Sequence, residues 1–301
     1  MDHNDFAIIS ELIRSPLESF EKIGSKVKMS GVSVRSKILN MYESGFLQGV
    51  YLIASPMIFD RYPHTFVFKN VENAFSKLPE ISKASDVVFA WIDHENDTIV
   101  TVFCKSDKAK HRTLVKLSEI MEVSAITVFT PVSLLPPNLS SSRFSRIDWK
   151  IMEHISSNPR MSVAKVSRMT HLSRKTVRKH IDSMLSEKQL YPVYIPDFTK
   201  AKGQIFYGSL AIYETPEVLK QLMNLNLDPV WYMNEPLGAH LLGFAESLRD
   251  VELLKKRVEK IDGIISFSLS IPSGGVFVEK RVLRWIREAI SKWDLASFDK
   301  S

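Results

Sequence analysis

The sequence predicts an α+β chain in which one pattern is written twice: a three-helix unit, then a βαββαβ unit, then both again. Three observations predict it. An ungapped register of like residues recurs 143 positions apart, each copy is followed by six apolar segments in the same order, and basic residues gather in the second copy alone. A register this long without a gap is the mark of an internal duplication.

The register aligns Asp5 with Asp148, Ile8 with Ile151, Leu12 with Ile155 and Pro16 with Pro159. It continues through Ser19 and Ser162, Lys22 and Lys165, Ile23 and Val166. It ends with Ser30 and Ser173, Val34 and Val177, Arg35 and Arg178, Ile38 and Ile181, Met41 and Met184. Most matched positions are apolar at helical spacing; the others are caps and cations.

In the first copy, Phe6, Ile8, Ile9, Leu12 and Ile13 form a helical stripe that Ser15-Pro16 interrupts, since proline cannot continue a helix interior. Ser19 caps a short second helix carrying Phe20, Ile23 and Val27. Ser30 caps a third with Val34, Ile38 and Met41 on one face, and Gly45 ends it. Phe46–Ala54 then reads as a wing, a short two-stranded ribbon leaving through Ser55-Pro56. The second copy repeats this with Ile147, Ile151, Met152 and Ile155, a second helix over Ser162–His171, and a third capped by Ser173 with Val177, Ile181, Met184 and Leu185 buried.

The run Met29-Ser-Gly-Val-Ser-Val-Arg-Ser-Lys-Ile-Leu-Asn-Met-Tyr-Glu-Ser-Gly-Phe-Leu-Gln-Gly49 resembles the helix-turn-helix of the leucine-responsive/asparagine (Lrp/AsnC) regulators. The opening Asp2…Asp5…Ile8-Ile9-x-x-Leu12 is similar to that family's first helix. Caps, core positions and the glycine after the third helix agree together. The resemblance implies a DNA-binding transcription regulator, and it extends to the segments C-terminal to each helix-turn-helix.

After the first copy, Thr65–Phe68, Val71–Leu78, Asp86–Ile92, Thr98–Cys104, Lys108–Ile120 and Ala125–Pro131 read strand, helix, strand, strand, helix, strand. Ile205–Tyr213, Pro216–Met223, Val230–Met233, His240–Phe244, Arg249–Ile261 and Ile264–Ile271 repeat the order. That is the ferredoxin-like arrangement, and it is also the effector-binding RAM domain of the Lrp/AsnC family. The predicted fold is therefore α+β, with two winged helix-turn-helix domains alternating with two ferredoxin-like, RAM-like domains. Residues 1–60 are the first winged helix-turn-helix and 61–142 the first RAM-like domain with its linker. Residues 143–203 are the second, basic helix-turn-helix, 204–277 the second RAM-like domain and 278–301 a C-terminal amphipathic helix. The linker is the proline- and serine-rich Val132–Ser142.

The formal net charge is +6, but residues 143–203 hold 13 Lys/Arg against 5 Asp/Glu, so their +8 leaves −2 for the rest of the chain. Residues 1–60 carry 6 basic and 7 acidic residues. A clustered basic patch is the footprint of a phosphate-binding surface. A recognition helix reads DNA from its N-terminal turns, which nominates Arg174, Lys175, Thr176, Arg178 and Lys179 in the second copy. Arg174 and Arg178 are assigned to bases ahead of the two lysines, because arginine meets guanine in a bidentate fashion. In the first copy the equivalent candidates are Ser33, Arg35, Ser36, Lys37 and Asn40, with fewer cations and weaker phosphate attraction expected.

The family's ligand pocket lies beside a glycine-containing turn between the second and third strands. The first copy has Asp93-His-Glu-Asn-Asp97 there, without glycine; the second keeps Gly238, followed by His240. Those two are the only effector-site candidates, and amino-acid sensing loses its usual tyrosine-aspartate pair in both copies.

Other function classes find less in the sequence. One cysteine, Cys104, excludes an intrachain disulfide or a multi-cysteine zinc site. Phosphate-loop, HExxH and G-x-S-x-G motifs do not occur, so no catalytic, cofactor or metal residues are nominated and the chain is expected not to be an enzyme. The composition, an acidic N-terminus and no 18-residue apolar run predict a cytoplasmic chain without membrane contact. Its expected partner is double-stranded DNA, with the two halves as an intramolecular pseudo-dimer or a homodimer. Two alternatives stand beside the regulator. Sirohaem decarboxylases are similar in fold and also occur as fused tandem copies, but they work with histidine and basic side chains in the RAM-like half. The other alternative is a module that binds protein through its helix-turn-helix units.

Overall fold

Serine or aspartate opens each helix of the two three-helix units, its side chain accepting from backbone N–H groups that the first turn leaves free. The computed structural model describes residues 2–15, 18–129, 144–156, 158–159, 161–187, 189–201, 203–213, 216–225, 227–234 and 237–298. The proline-serine linker expected at 132–142 and the helix-stopping Pro16 lie outside them.

In the first unit Asp2 caps α1 (His3–Arg14), with Asp5 completing a capping box; Ser19 caps α2 (Phe20–Lys26) and Ser30 caps α3 (Gly31–Glu43). The strand β1 (Leu47–Ala54) follows. A ferredoxin-like unit comes next: β2 (Tyr62–Phe68), α4 (Ala74–Lys83), β3 (Val87–Asp93), β4 (Thr98–Cys104), α5 (Asp107–Met121) and β5 (Thr127–Phe129). The second half repeats it with α6 (Arg146–Ile155), α7 (Val163–Thr170), α8 (Arg174–Ser186) and β6 (Leu190–Pro196). Then come β7 (Gln204–Ile212), α9 (Pro216–Asn224), β8 (Asp228–Asn234), β9 (Leu237–Ala245), α10 (Leu248–Val258) and β10 (Ile264–Ser270). A last strand, β11 (Pro272–Phe277), and α11 (Glu279–Phe298) follow, with no counterpart among the described residues of the first half. Even the non-glycine residue that turns the chain before each third helix is repeated, Lys28 at φ 56° and His171 at φ 57°. Among the described residues no helix is long and apolar enough to cross a membrane.

The halves are joined crosswise. The ribbon expected at Phe46–Ala54 exists, but its second strand comes from the other half: β1 pairs antiparallel with β6, from Leu47 opposite Pro196 to Ala54 opposite Leu190. The first three-helix core (Phe6, Ile8, Leu12, Ile23, Val34, Ile38) packs against Tyr194, Ile205, Leu242 and Phe244 of the second half. Trp149, Ile151, Met152, Val166, Val177 and Met184 of the second unit pack on Leu52, Ile53, Phe59, Val88 and Phe103 of the first half, and on Val282, Trp285 and Ile286 of α11. Each three-helix unit thus buries its apolar side against the opposite half, which the hydrophobic effect favours in proportion to the area removed from water.

The second departure concerns residues 272–277, assigned from the sequence to the second RAM-like domain (204–277) beyond its expected closing strand at Ile264–Ile271. They leave it and become an edge strand of the first, giving the sheet order β11-β3-β4-β2-β5, while the second sheet keeps four strands, β10-β7-β9-β8. The signal is the pair Gly274-Gly275. An added Cβ on Gly275 would lie 2.6 Å from the carbonyl oxygen of Ala90 in β3, so only glycine lets the strands approach. The sheets also meet through Trp91 and Tyr207, ring centroids 5.2 Å apart, and through the Ser270 hydroxyl, which donates to Asp93 at 2.7 Å.

Candidate nucleic-acid interface

The α8 helix is held from behind and bare in front. Val177 and Met184 are buried, Ile181 packs against the same core, and Ser173 caps the helix by accepting from the N–H of Thr176 at 3.0 Å. Cations at positions one, two, five and six of α8 fall off that stripe, so Arg174, Lys175, Arg178 and Lys179 are all exposed. No ion pair among the described residues engages any of the four. Thr176 is partly buried and its hydroxyl is 2.8 Å from that of Ser173, so it serves the cap first.

The first unit presents a different surface at the same positions. Ser33, the equivalent of Thr176, likewise serves the cap, its hydroxyl 2.8 Å from that of Ser30. Arg35, Ser36 and Asn40 are exposed, but so are Val32 and Leu39. Lys37, nominated as a DNA contact, is committed elsewhere: its Nζ donates to Asp5 Oδ1 at 2.7 Å and to Asp2 Oδ2 at 3.1 Å. The carboxylate of Asp5 raises the Lys37 pKa above its ordinary value, and the Asp2 pKa is lowered, first by the N–H of Asp5 and then by Lys37. In the second unit the equivalent pair is His180 Nδ1 and Asp148 Oδ1, 2.7 Å apart. The duplication therefore keeps a tie between first and third helices while exchanging its cation. Lys37→Ala should lower stability by about 1 kcal/mol, read by urea denaturation, and leave DNA affinity within about twofold because the ammonium already has partners.

The effector candidates, Gly238 and His240, both lie in β9. Gly238 is buried, and a Cβ there would lie 2.0 Å from the carbonyl oxygen of Leu210, so its glycine serves strand contact. His240 is partly buried, with its Nδ1 2.8 Å from the Ser209 hydroxyl of β7. Burial pushes its pKa down to about 4, and that of His64 in β2 likewise to about 4, Lys110 adding to the second shift. Both groups start from an ordinary value of 6.5. Between pH 6.5 and 4 the unfolded chain binds protons that the folded chain refuses, so stability falls as pH drops through that window and these two groups add no slope above it. Urea midpoints from pH 7 to 4 should show that loss, and His64→Gln/His240→Gln should flatten it.

Sequence reasoning missed the buried charges beneath this frame. Arg61 Nη1 donates to Asp86 Oδ1 and to the Phe103 carbonyl oxygen, both at 2.8 Å, and Thr113 donates to Asp86 Oδ2 at 3.0 Å. Arg281, also buried, donates to the carbonyl oxygens of Val87 and Ser82. Arg61 alone in a loop and Asp86 at a strand entry carry no pattern that links them, and the pair forms only on folding. Among the described residues no three histidine, cysteine, aspartate or glutamate side chains converge as metal ligands.

Compared with known proteins, residues 144–187 match the winged helix-turn-helix DNA-binding family. The chain is similar to the crystal structure of the siroheme decarboxylase NirDL, at 12% identity and a TM-score of 0.49 over 96% of this chain and 99% of that one. It is also similar to E. coli AsnC, at 17% identity and a TM-score of 0.29 over 42% of this chain and 88% of that one. B. subtilis LrpC gives 16% identity and a TM-score of 0.33 over 43% and 94%. No curated protein matches the chain. Residues 144–187 thus match a winged helix-turn-helix of the DNA-binding kind, set in an α+β chain whose own order of helices and strands is repeated.

Proposed function

We propose that the chain is a sequence-specific transcription regulator of the Lrp/AsnC type, that it reads duplex DNA mainly with α8, and that it is not an enzyme. The observation that carries this reading is the contrast between the two third helices. The outer face of α8 offers four exposed cations with no ion pair among the described residues, whereas α3 offers Arg35 among Val32, Ser36 and Leu39. Arginines reach base edges and lysines settle on phosphates. On this reading the crossed packing of the halves lets one chain act as a pseudo-dimer, with α3 as a weaker second contact strengthened by effective concentration.

Fluorescence anisotropy with duplex DNA across a salt series tests it. Log affinity should fall linearly with log salt, with a slope of about −0.9 for each phosphate neutralised, and selected sequences should bind more tightly than random duplex. Affinity that is weak at low salt and indifferent to salt would overturn the proposal. Incubation with sirohaem, followed by mass, should leave the tetrapyrrole unchanged; loss of carboxyl groups would make the chain an enzyme.

A further inference from the structure

A cavity of about 310 Å³ lies where α6, α11 and the turn before β2 meet. Its walls are aromatic: Phe59, Phe144, Trp149 and Trp285 all line it, and all four are buried. Adjacent rings sit 4.9 to 5.9 Å apart, from Phe144 to Trp149, Trp149 to Phe59 and Phe59 to Trp285. Rings at this spacing touch one another, so together they form one continuous apolar wall of the cavity, on which a flat body can lie.

The charges around the slot do not balance. Arg61 lines it with its guanidinium 4.2 Å from the Trp285 ring centroid, and Lys105 and Lys292 stand exposed at its rim. Two carboxylates line it as well, Asp60 and Glu288, but Glu288 is paired with Arg284 at 3.7 Å. Asp86 is shared between Arg61 and Thr113. Next to them is the buried Arg281, whose Nε has no hydrogen-bond partner. Three cations, Arg61, Lys105 and Lys292, therefore line the cavity beside the carboxylates of Asp60 and Glu288, with Asp86 and Arg281 behind Arg61. Since Arg61 makes both of its bonds through Nη1, its Nη2 remains available to an anion in the slot. A ring laid on the aromatic wall, with a carboxylate near guanidinium and ammonium groups, satisfies both features.

We propose that this cavity binds a small flat organic anion, of the aromatic carboxylate class. The ligand would touch Trp149 of the second helix-turn-helix, Trp285 of α11 and Arg61 of the first half at once. It would bridge elements that the fold already holds at one junction, a position from which binding reports on the placement of α6.

The test uses the full chain labelled with 15N in its tryptophan indoles and needs no DNA, so its outcome is separate from that of the DNA-binding proposal. Benzoate and indole-3-acetate are titrated to about 10 mM, a range that detects dissociation constants at the millimolar level, with indole-3-methanol as the uncharged control. Expected are saturable shifts of the Trp149 and Trp285 Nε1–H signals with at least one acid, and at least tenfold weaker binding of the alcohol. Lys105→Ala/Lys292→Ala should weaken the acid at least tenfold, and Ala289→Trp, which fills the slot from α11, should abolish the shifts. Unchanged melting temperatures show that both variants fold. No shift with either acid, equal binding of the alcohol, or unaltered binding by the folded variants would overturn the site.

Discussion

Lys175→Ala/Arg178→Ala should weaken duplex-DNA binding by about 2–4 kcal/mol, roughly 30- to 1000-fold. Both side chains are exposed on α8, away from the buried Val177 and Met184, so the substitutions remove charge without opening the core. Arg178 is assigned to a base edge and its loss should relax preference at one position of the selected sequence. Lys175 is assigned to phosphate; its loss should act alike on all sequences and make the salt slope shallower by about one contact. Arg35→Ala, the equivalent of Arg178 in the first unit, should cost less than about fivefold, because its helix brings little other positive charge to the duplex. Anisotropy titrations of the three proteins at two salt concentrations measure all of this. Equal losses from the two units would refute the assignment of the main contact to α8.

The largest effect on stability is expected from Asp86→Ala, a loss of about 3–5 kcal/mol. The carboxylate is 6% exposed and compensates Arg61, with Arg281 close enough to feel its charge. Burial, reinforced by Arg284, lowers the Arg281 pKa, while Asp86 opposes the shift. Without Asp86, two buried guanidinium groups keep only carbonyl partners, and an uncompensated buried charge is far costlier than a missing pair. The melting temperature should fall by about 10 °C. Replacing Arg61 as well, in Arg61→Met/Asp86→Leu, should recover much of the loss by removing both charges together. A melting temperature for Asp86→Ala within about 2 °C of the parent would mean that water reaches the cluster.

How much was legible in the sequence depends on the range of each interaction. Caps and stripes are local, so Ser30, Ser173, Val34 and Val177 announced the third helices and their faces. The strand and helix order of both ferredoxin-like units was legible for the same reason. The first helix of that unit was expected over Val71–Leu78 but spans Ala74–Lys83, because Asn73 at φ 52° starts the helix late. What the sequence did not disclose is contact between distant segments. Nothing local in Leu47–Ala54 says that its partner strand is Leu190–Pro196, and Gly274-Gly275 marks a close approach without naming β3. The nominated interface shows the same division. Arg174, Lys175, Arg178 and Lys179 are exposed as helical geometry requires, whereas Lys37 is drawn away from DNA by Asp2 and Asp5, partners more than 30 residues distant. The aromatic wall draws its rings from distant segments, and although Trp149 and Trp285 each lie on the buried face of an amphipathic helix, nothing local says that they meet each other and Phe59.

On the proposed DNA-reading role, the unequal third helices, locked into one body by the β1–β6 ribbon, give the molecule a front and a back along a duplex. A reader made of two identical subunits meets the same letters from either end, and its sites are palindromes. A chain with one strongly cationic helix and one sparse one has no such symmetry to satisfy. Its preferred site should be a strong half beside a weak one, and the order of the halves sets which way the protein points relative to a neighbouring gene.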